Sequence, residues 1–220
     1  MEKNGCRTII PVLEGFRTVV LADGEFPKHN IPLGFLRAAE RVICCDGAAE
    51  NLLRFGREPD FIVGDLDSIS PQLKVRYADI LVRIGEQETN DLTKSVNFCV
   101  ANGWNFITIL GATGKREDHT LGNLSLTMDY NDICNVQLLT DYGAFRPQKE
   151  SKAVYESRAG QQVSIFCIDP ATVINSSELV YPILSRGLVS WWQGSLNEAS
   201  GDSFTIETSG GKLLVFRQYV

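Results

Sequence analysis

Arg41-Val-Ile-Cys-Cys45, Ala48-Ala-Glu-Asn-Leu-Leu-Arg-Phe55 and Asp60-Phe-Ile-Val63 decide the fold. Two short apolar runs without alternation, joined by a helical stretch, read as strands buried on both faces with a crossover helix between them. Working outward, the pattern repeats. Thr18–Ala22, Ile80–Ile84, Phe106–Leu110 and Val136–Leu139 read as further strands. Helices are expected over Pro32–Glu40, Pro71–Ala78, Asp91–Asn102 and from about Asp118 to Tyr130. Ser70 offers an N-cap and Pro71 the first helical position. Leu92, Val96, Cys99 and Val100 share one helix face that Gly103 terminates, and Leu121, Leu124 and Met128 are expected inward on the last helix. Strands alternating with helices predict an α/β fold, a doubly wound, mainly parallel sheet of Rossmann-like type.

The texture changes near Asp141–Glu150, where Tyr-Gly-Ala-Phe-Arg-Pro interrupts the alternation. Beyond it, Gln162–Ile168, Thr172–Ile174, Glu178–Tyr181, Ser203–Thr208 and Lys212–Arg217 are strand-like, separated by turn residues and without helical period. Such a run of short strands predicts a small all-β sandwich. The expected division is residues 1–141 and 150–220. Trp191 and Trp192 read as strand neighbours facing opposite sides.

Composition narrows the function. The 220 residues carry 21 basic and 27 acidic side chains, a net charge of −6, with no basic tract. That argues against general nucleic-acid or anionic-membrane binding. No apolar run approaches a bilayer span, and the N-terminus lacks a signal-peptide pattern, so a soluble, cytoplasmic protein is expected. Cys44 and Cys45 are adjacent, and Cys6, Cys99, Cys134 and Cys167 stand alone, which reads as packed thiols. With only His29 and His119 available, any metal would be held by carboxylates, which suits a hard ion such as Mg²⁺.

In a parallel sheet, ligands bind outside the carboxyl ends of the strands. The segments at those ends are Ala22-Asp-Gly-Glu, Asp46-Gly-Ala-Ala, Gly64-Asp65-Leu66-Asp67-Ser68, Gln87-Glu-Thr-Asn-Asp91 and Gly111-Ala-Thr113-Gly114-Lys-Arg116-Glu-Asp118-His. Nearly all bring an acid, a glycine or both to one rim. On extended chain, Asp65 and Asp67 point the same way while Leu66 points to the core. Such a pair calls for a nearby cation, with Asp91 as a third acid; a solvated turn and a helix-dipole role are the bland alternatives. The Gly111–Arg116 loop leads from strand to helix and can cradle an anion, though it is neither a Walker A loop nor GxGxxG. Arg116, Lys115 and Lys94 would supply positive charge to phosphate. His119 reads as a hydrogen-bonded neighbour or, less simply, a base.

Four segments in this order resemble thiamine pyrophosphokinases. They are Cys45-Asp-Gly-Ala-Ala, Pro59-Asp-Phe-Ile-Val-Gly-Asp-Leu-Asp-Ser68, Gln87-Glu-Thr-Asn-Asp-Leu-Thr-Lys94 and Gly111-Ala-Thr-Gly-Lys-Arg-Glu-Asp-His-Thr-Leu-Gly-Asn123. The resemblance implies a transferase that moves pyrophosphate from ATP to the hydroxyl of thiamine, giving thiamine diphosphate and AMP. It implies an α/β domain for ATP and Mg²⁺, a β domain for thiamine, and a homodimer with active sites shared between subunits. Carried over by motif, Asp65, Asp67 and Asp91 would be the metal and phosphate-site acids, with Arg116 as their catalytic companion. Asp46, Gln87, Lys94, Gly111, Thr113, Gly114 and Asp118 would line the nucleotide site, and Tyr181, Ser195 and Asn197 the thiamine site. The family often has Gly-Gly where Gly47-Ala48 stands, and Gly-Gly-Arg where Gly114-Lys115-Arg116 stands. Two other readings stand beside this one: pyrophosphate transfer to another hydroxymethyl heterocycle such as a pterin, and a non-catalytic nucleotide or thiamine sensor.

Overall fold

The computed structural model describes residues 15–220, so Cys6 lies outside the described residues. These residues form two compact units, 15–141 and 142–220.

The first unit is a parallel sheet with helices. Its strands are β1 (Thr18–Leu21), β2 (Arg41–Cys45), β3 (Phe61–Gly64), β4 (Leu81–Arg83), β5 (Phe106–Leu110) and β6 (Asn135–Leu139). Spatially they run β6-β5-β1-β2-β3-β4, and every pairing is parallel. The five helices are α1 (Asn30–Ala38), α2 (Ala48–Arg54), α3 (Pro71–Arg76), α4 (Asp91–Ala101) and α5 (Glu117–Tyr130). β1 is buried along its whole length, and β2 and β5 at all but their first residue. Covered on both faces, they take continuous Val, Ile and Leu instead of an alternating pattern. Each fully buried aliphatic side chain contributes about 1.5–3 kcal/mol relative to exposure. Strand order reverses between β1 and β5, so the crevice of a doubly wound sheet opens at their carboxyl ends.

α4 forms as its spacing predicts. Asn90 caps it by accepting a hydrogen bond from the Thr93 amide at 2.9 Å, and Leu92, Val96 and Cys99 are buried. α5 differs: Leu121 is 53% exposed, and the buried residues are Thr127, Met128 and Tyr130. Only the C-terminal half of this helix packs inward, so an apolar spacing taken over the full length overreaches. Cys44, Cys45, Cys99, Cys134 and Cys167 are free and buried. Burial pushes the Cys45 and Cys99 thiols up to about 12, and they are correspondingly inert.

The second unit is a sandwich. β7 (Gly143–Gln148), β9 (Gln162–Cys167), β11 (Asn197–Glu198) and β13 (Leu213–Gln218) form one sheet in the order β11-β9-β13-β7. β8 (Lys152–Glu156), β10 (Ile174–Ser177) and β12 (Ser203–Thr208) form another in the order β10-β12-β8. Pairing within both is antiparallel. Here the strands alternate: Val163, Ile165 and Cys167 of β9 face a core shared with Tyr155, Ile174, Phe204 and Ile206. Tyr155 stacks on Phe204 with centroids 5.0 Å apart.

Three expectations are corrected here. The stretch that seemed to interrupt the pattern holds β7, paired along its length with β13, with Pro147 opposite Leu214. Glu178–Tyr181 is not a strand, since Glu178 has φ +58° and only Leu179 makes an isolated bridge, to Ala199. Trp191 and Trp192 lie in a 3₁₀ turn, Trp191–Gly194, because Ser190 and Gln193 close a capping box around it. Trp191 packs edge-on against Phe166, while Trp192 is 74% exposed.

Candidate functional site

At the carboxyl ends of β1, β2, β3 and β5 lies a cavity of about 370 Å³. Its lining includes Asp23, Asp46, Asp91, Lys115, Arg116 and His119. The sequence expectation of a shared rim is therefore realised in the first unit, by loops far apart along the chain.

Asp46 follows β2 with φ +36° and is only 3% exposed. Its amide donates to the Val63 carbonyl at 3.1 Å, and its Oδ2 accepts from the Ser68 amide at 2.9 Å. Its Oδ1 is buried without a hydrogen-bond partner. Burial raises this carboxyl above its usual range, the Ser68 bond opposes the rise, and the charge of Asp91 adds to it. Asp91 opens α4, where its carboxylate also suits the helix N-terminus. Its Oδ1 accepts from the Lys94 ammonium at 3.2 Å, and Lys94 is itself 3% exposed. Asp65 accepts from the Asp67 amide at 3.1 Å and from Gln87 Nε2 at 3.4 Å, and these bonds hold its carboxyl below the usual range. One oxygen from each of Asp46, Asp65 and Asp91 lies within 4.8 Å of the others. Gly64 permits this approach: a Cβ there would stand 3.1 Å from both Asp46 Cβ and Asp91 Oδ1.

The three-acid group thus contains Asp46 where the i, i+2 argument places Asp67. The reason is local. Leu66 is buried, as expected, but with φ +69°, so the chain does not run extended from Asp65 to Asp67 and their side chains do not share a face. Asp67 is exposed and stands outside the group.

The glycine loop is locked to the loop after β1. Gly24 donates to the Gly111 carbonyl at 2.6 Å and Glu25 to the Thr113 carbonyl at 2.8 Å. A Cβ on Gly24 would fall 2.3 Å from the Gly111 oxygen, so only glycine allows this contact. Lys115 Nζ donates to both the carbonyl and Oδ1 of Asp23, each at 2.9 Å. Lys115 holds φ +56°, which costs a non-glycine residue about 1–2 kcal/mol. Its half-exposed ion pair contributes at most about 1 kcal/mol. Arg116 precedes α5 and grips Asp118 bidentately, with Nε 3.0 Å from Oδ1. That bond raises the Arg116 guanidinium and lowers Asp118 to about 2.

The structure brings Asp46, Asp91, Gly114 and Arg116 to the cavity wall, with Lys94 and Asp65 bonded or adjacent to its acids. Gln87 reaches it through Asp65, and Asp118 through Arg116. Gly111 and Thr113 act through their carbonyls on the β1 loop. In the second unit, Asn197 is buried: its Oδ1 accepts from the Tyr181 and Glu198 amides, and its Nδ2 donates to the Tyr181 carbonyl. It therefore fixes the backbone of Tyr181, whose ring is 67% exposed. Ser195 Oγ donates to the Trp192 carbonyl at 2.8 Å. Asp23 and Asn123 are site residues that sequence reasoning left unassigned. Asn123 joins Asn90 to the Ala112 carbonyl, and its place at the end of the glycine-loop motif was the available signal.

Residues 34–138 match the family model described as thiamin pyrophosphokinase, catalytic domain, and 143–216 the one described as thiamin pyrophosphokinase, substrate-binding domain. Thiamine pyrophosphokinase 1 of Oryza sativa subsp. japonica is 32% identical over 167 residues, 64% of this chain. The chain matches only 62% of that relative's length. The crystal structure of yeast thiamin pyrophosphokinase aligns with a TM-score of 0.76 at 18% identity, over 96% of this chain and 89% of its own. Thiamin pyrophosphokinase from Candida albicans aligns at 0.74 and 20% identity, over 93% and 90%. At such identities the structural likeness shows the fold.

Proposed function

The chain belongs to the thiamin pyrophosphokinase family, and on that premise we propose that it transfers pyrophosphate from ATP to the hydroxyl of thiamine, giving thiamine diphosphate and AMP. One observation carries the reading: two members of a carboxylate trio, Asp46 and Asp91, and a glycine loop with a lysine and an arginine meet at one cavity. That is the equipment of phosphoryl-type transfer, which asks a protein for charge neutralisation and in-line positioning.

Asp46, Asp65 and Asp91 suit a hard divalent cation. All donors are carboxylate oxygens, and one of them, Asp46 Oδ1, is buried without any partner. When bound, an ion such as Mg²⁺ would neutralise charge on the phosphates held beside it. The chain's own residues do the rest. Lys94 keeps Asp91 in place from beneath. The Gly111–Arg116 loop, fixed by Gly24 and Glu25, presents a preorganised edge to the phosphates, and Arg116 supplies a planar cation. In the transfer, the thiamine oxygen bonds to the β-phosphorus. The bond from that phosphorus to the oxygen shared with the α-phosphate breaks, and AMP departs with the electron pair. We assign the hydroxyl proton to Asp67, the acid of the Gly64–Ser68 loop that stands outside the trio.

The same proposal gives residues 1–141 to ATP and metal, and residues 150–220 to thiamine and dimerisation. Tyr181 supplies a flat face for the heterocycle, with Asn197 and Ser195 shaping the loops around it. Assembly as a homodimer with shared sites, and a cytoplasmic location, rest on the family resemblance. No described helix is long and apolar enough to cross a membrane.

A substrate panel tests the choice of alcohol. AMP release from ATP should require thiamine and should not occur with a hydroxymethylpterin. Release with the pterin alone would keep the phosphate site and displace the thiamine reading.

A further inference from the structure

The cavity's cations are not equivalent. Lys94 is buried and spent on Asp91, and Arg116 has two of its nitrogens on Asp118. Lys115 is different. Its ammonium carries three N–H donors, and Asp23 takes two of them, through its carbonyl and Oδ1. Both residues line the cavity that holds Asp46 and Asp91. Asp23 is itself confined: its other oxygen, Oδ2, lies against Gly47, where a Cβ would come within 3.1 Å. Asp23 thus clamps the ammonium of a residue 92 positions along the chain, at the switch point between β1 and β5.

The backbone supports a role for the side chain. A φ of +56° is glycine territory. The ion pair and the bond to the Asp23 carbonyl at best offset what that conformation costs, so fold stability gives no preference for lysine over glycine here.

We propose that Lys115 is a phosphate-contacting residue of the nucleotide site and that Asp23 is its positioning residue. The inference rests on the nucleotide reading of this cavity, though not on the identity of the acceptor alcohol. The third N–H of the ammonium donates to a phosphate oxygen, and Asp23 keeps the flexible lysine stem from sampling solvent. Because the contact is made in the ground state as well as during transfer, it governs binding more than turnover.

The test uses the full chain with ATP and Mg²⁺. Calorimetry without thiamine gives Kd, steady-state assays with thiamine give KM and kcat, and thermal melts give Tm. Lys115→Gly should raise Kd and KM for the nucleotide about tenfold, as expected for one lost charge-assisted bond, with kcat within about twofold. Its Tm should equal or exceed that of the parent, since the left-handed conformation is relieved. Lys115→Arg should restore most of the affinity, and Asp23→Asn should weaken binding less than Lys115→Gly does. Unchanged Kd and KM in Lys115→Gly would overturn the proposal. So would a loss accompanied by a lower Tm and not rescued by arginine. If the parent protein binds nucleotide without acting on thiamine, the Kd comparison still decides Lys115, and only the transfer reading falls. A parent that does not bind nucleotide overturns both.

Discussion

Three carboxylates within 4.8 Å of one another repel, yet Asp91 is paired with the buried Lys94 and hydrogen bonds favour the ionised form of Asp65. Asp46 is therefore the member whose replacement by its amide should stabilise the protein while disabling it. Burial raises its carboxyl, so above the usual carboxylate range the ionised form weighs against the folded state. Asp46→Asn keeps the acceptor for the Ser68 amide and removes that charge. It should raise Tm by roughly 2–4 °C per kcal/mol relieved and lower turnover at least about 100-fold. Full activity with a reduced Tm would contradict this. A second prediction concerns acid. Asp118 titrates at about 2 because Arg116 holds its ionised form, so the pair favours folding above the ordinary value of about 3.9 and loses that contribution as pH falls toward 2. In Arg116→Gln, the Asp118 midpoint followed by NMR should climb back toward about 3.9. At this scale the acids and the arginine were legible as types in loops after strands. Which acids meet was not. Positive φ at Asp46 and Leu66 redirects both loops, and residue type alone does not disclose a left-handed turn at aspartate or leucine.

Between β1 and β5, two loops are hydrogen-bonded across glycines, and the element-scale prediction follows from that contact. Gly24→Ala would push a methyl group onto the Gly111 oxygen, destabilising the protein by about 1–3 kcal/mol. Nucleotide affinity should fall with it, because the phosphate-facing loop is displaced. A wild-type melt and Kd in Gly24→Ala would show that the two loops are independent. Elements with dense pattern were readable. β2 and β5 carry continuous apolar runs, and α4 has both its cap and its stripe. Elements set by tertiary pairing were not. β7 contains Gly143 and Pro147 and looks like a break, yet its partner β13 supplies the ladder. Leu121 sits at the right spacing on α5 but is half exposed. The tandem tryptophans turn because Ser190 and Gln193 cap them, a signal of two residues that β-propensity outweighs on paper.

Over the whole molecule, the α/β unit and the β-sandwich announce themselves by different patterns of burial, continuous in one and alternating in the other. The sandwich has its own core, with Phe204 fully buried and stacked on Tyr155. Phe204→Ala should therefore cost about 3–5 kcal/mol by denaturant melt; a loss below about 1 kcal/mol would mean the stack is not the centre of that core. The phosphate chemistry was legible because it draws on few residue types at strand ends. The heterocycle site was less so, since flat aromatic and small polar side chains serve packing equally well, as Trp191 and Asn197 do. The central claim is transfer of a pyrophosphoryl group to thiamine, and a ³¹P NMR time course with the protein, ATP, Mg²⁺ and thiamine tests it directly. Thiamine diphosphate and AMP should appear together and in equal amounts. ADP with thiamine monophosphate, or no new phosphorus resonance at all, would contradict it.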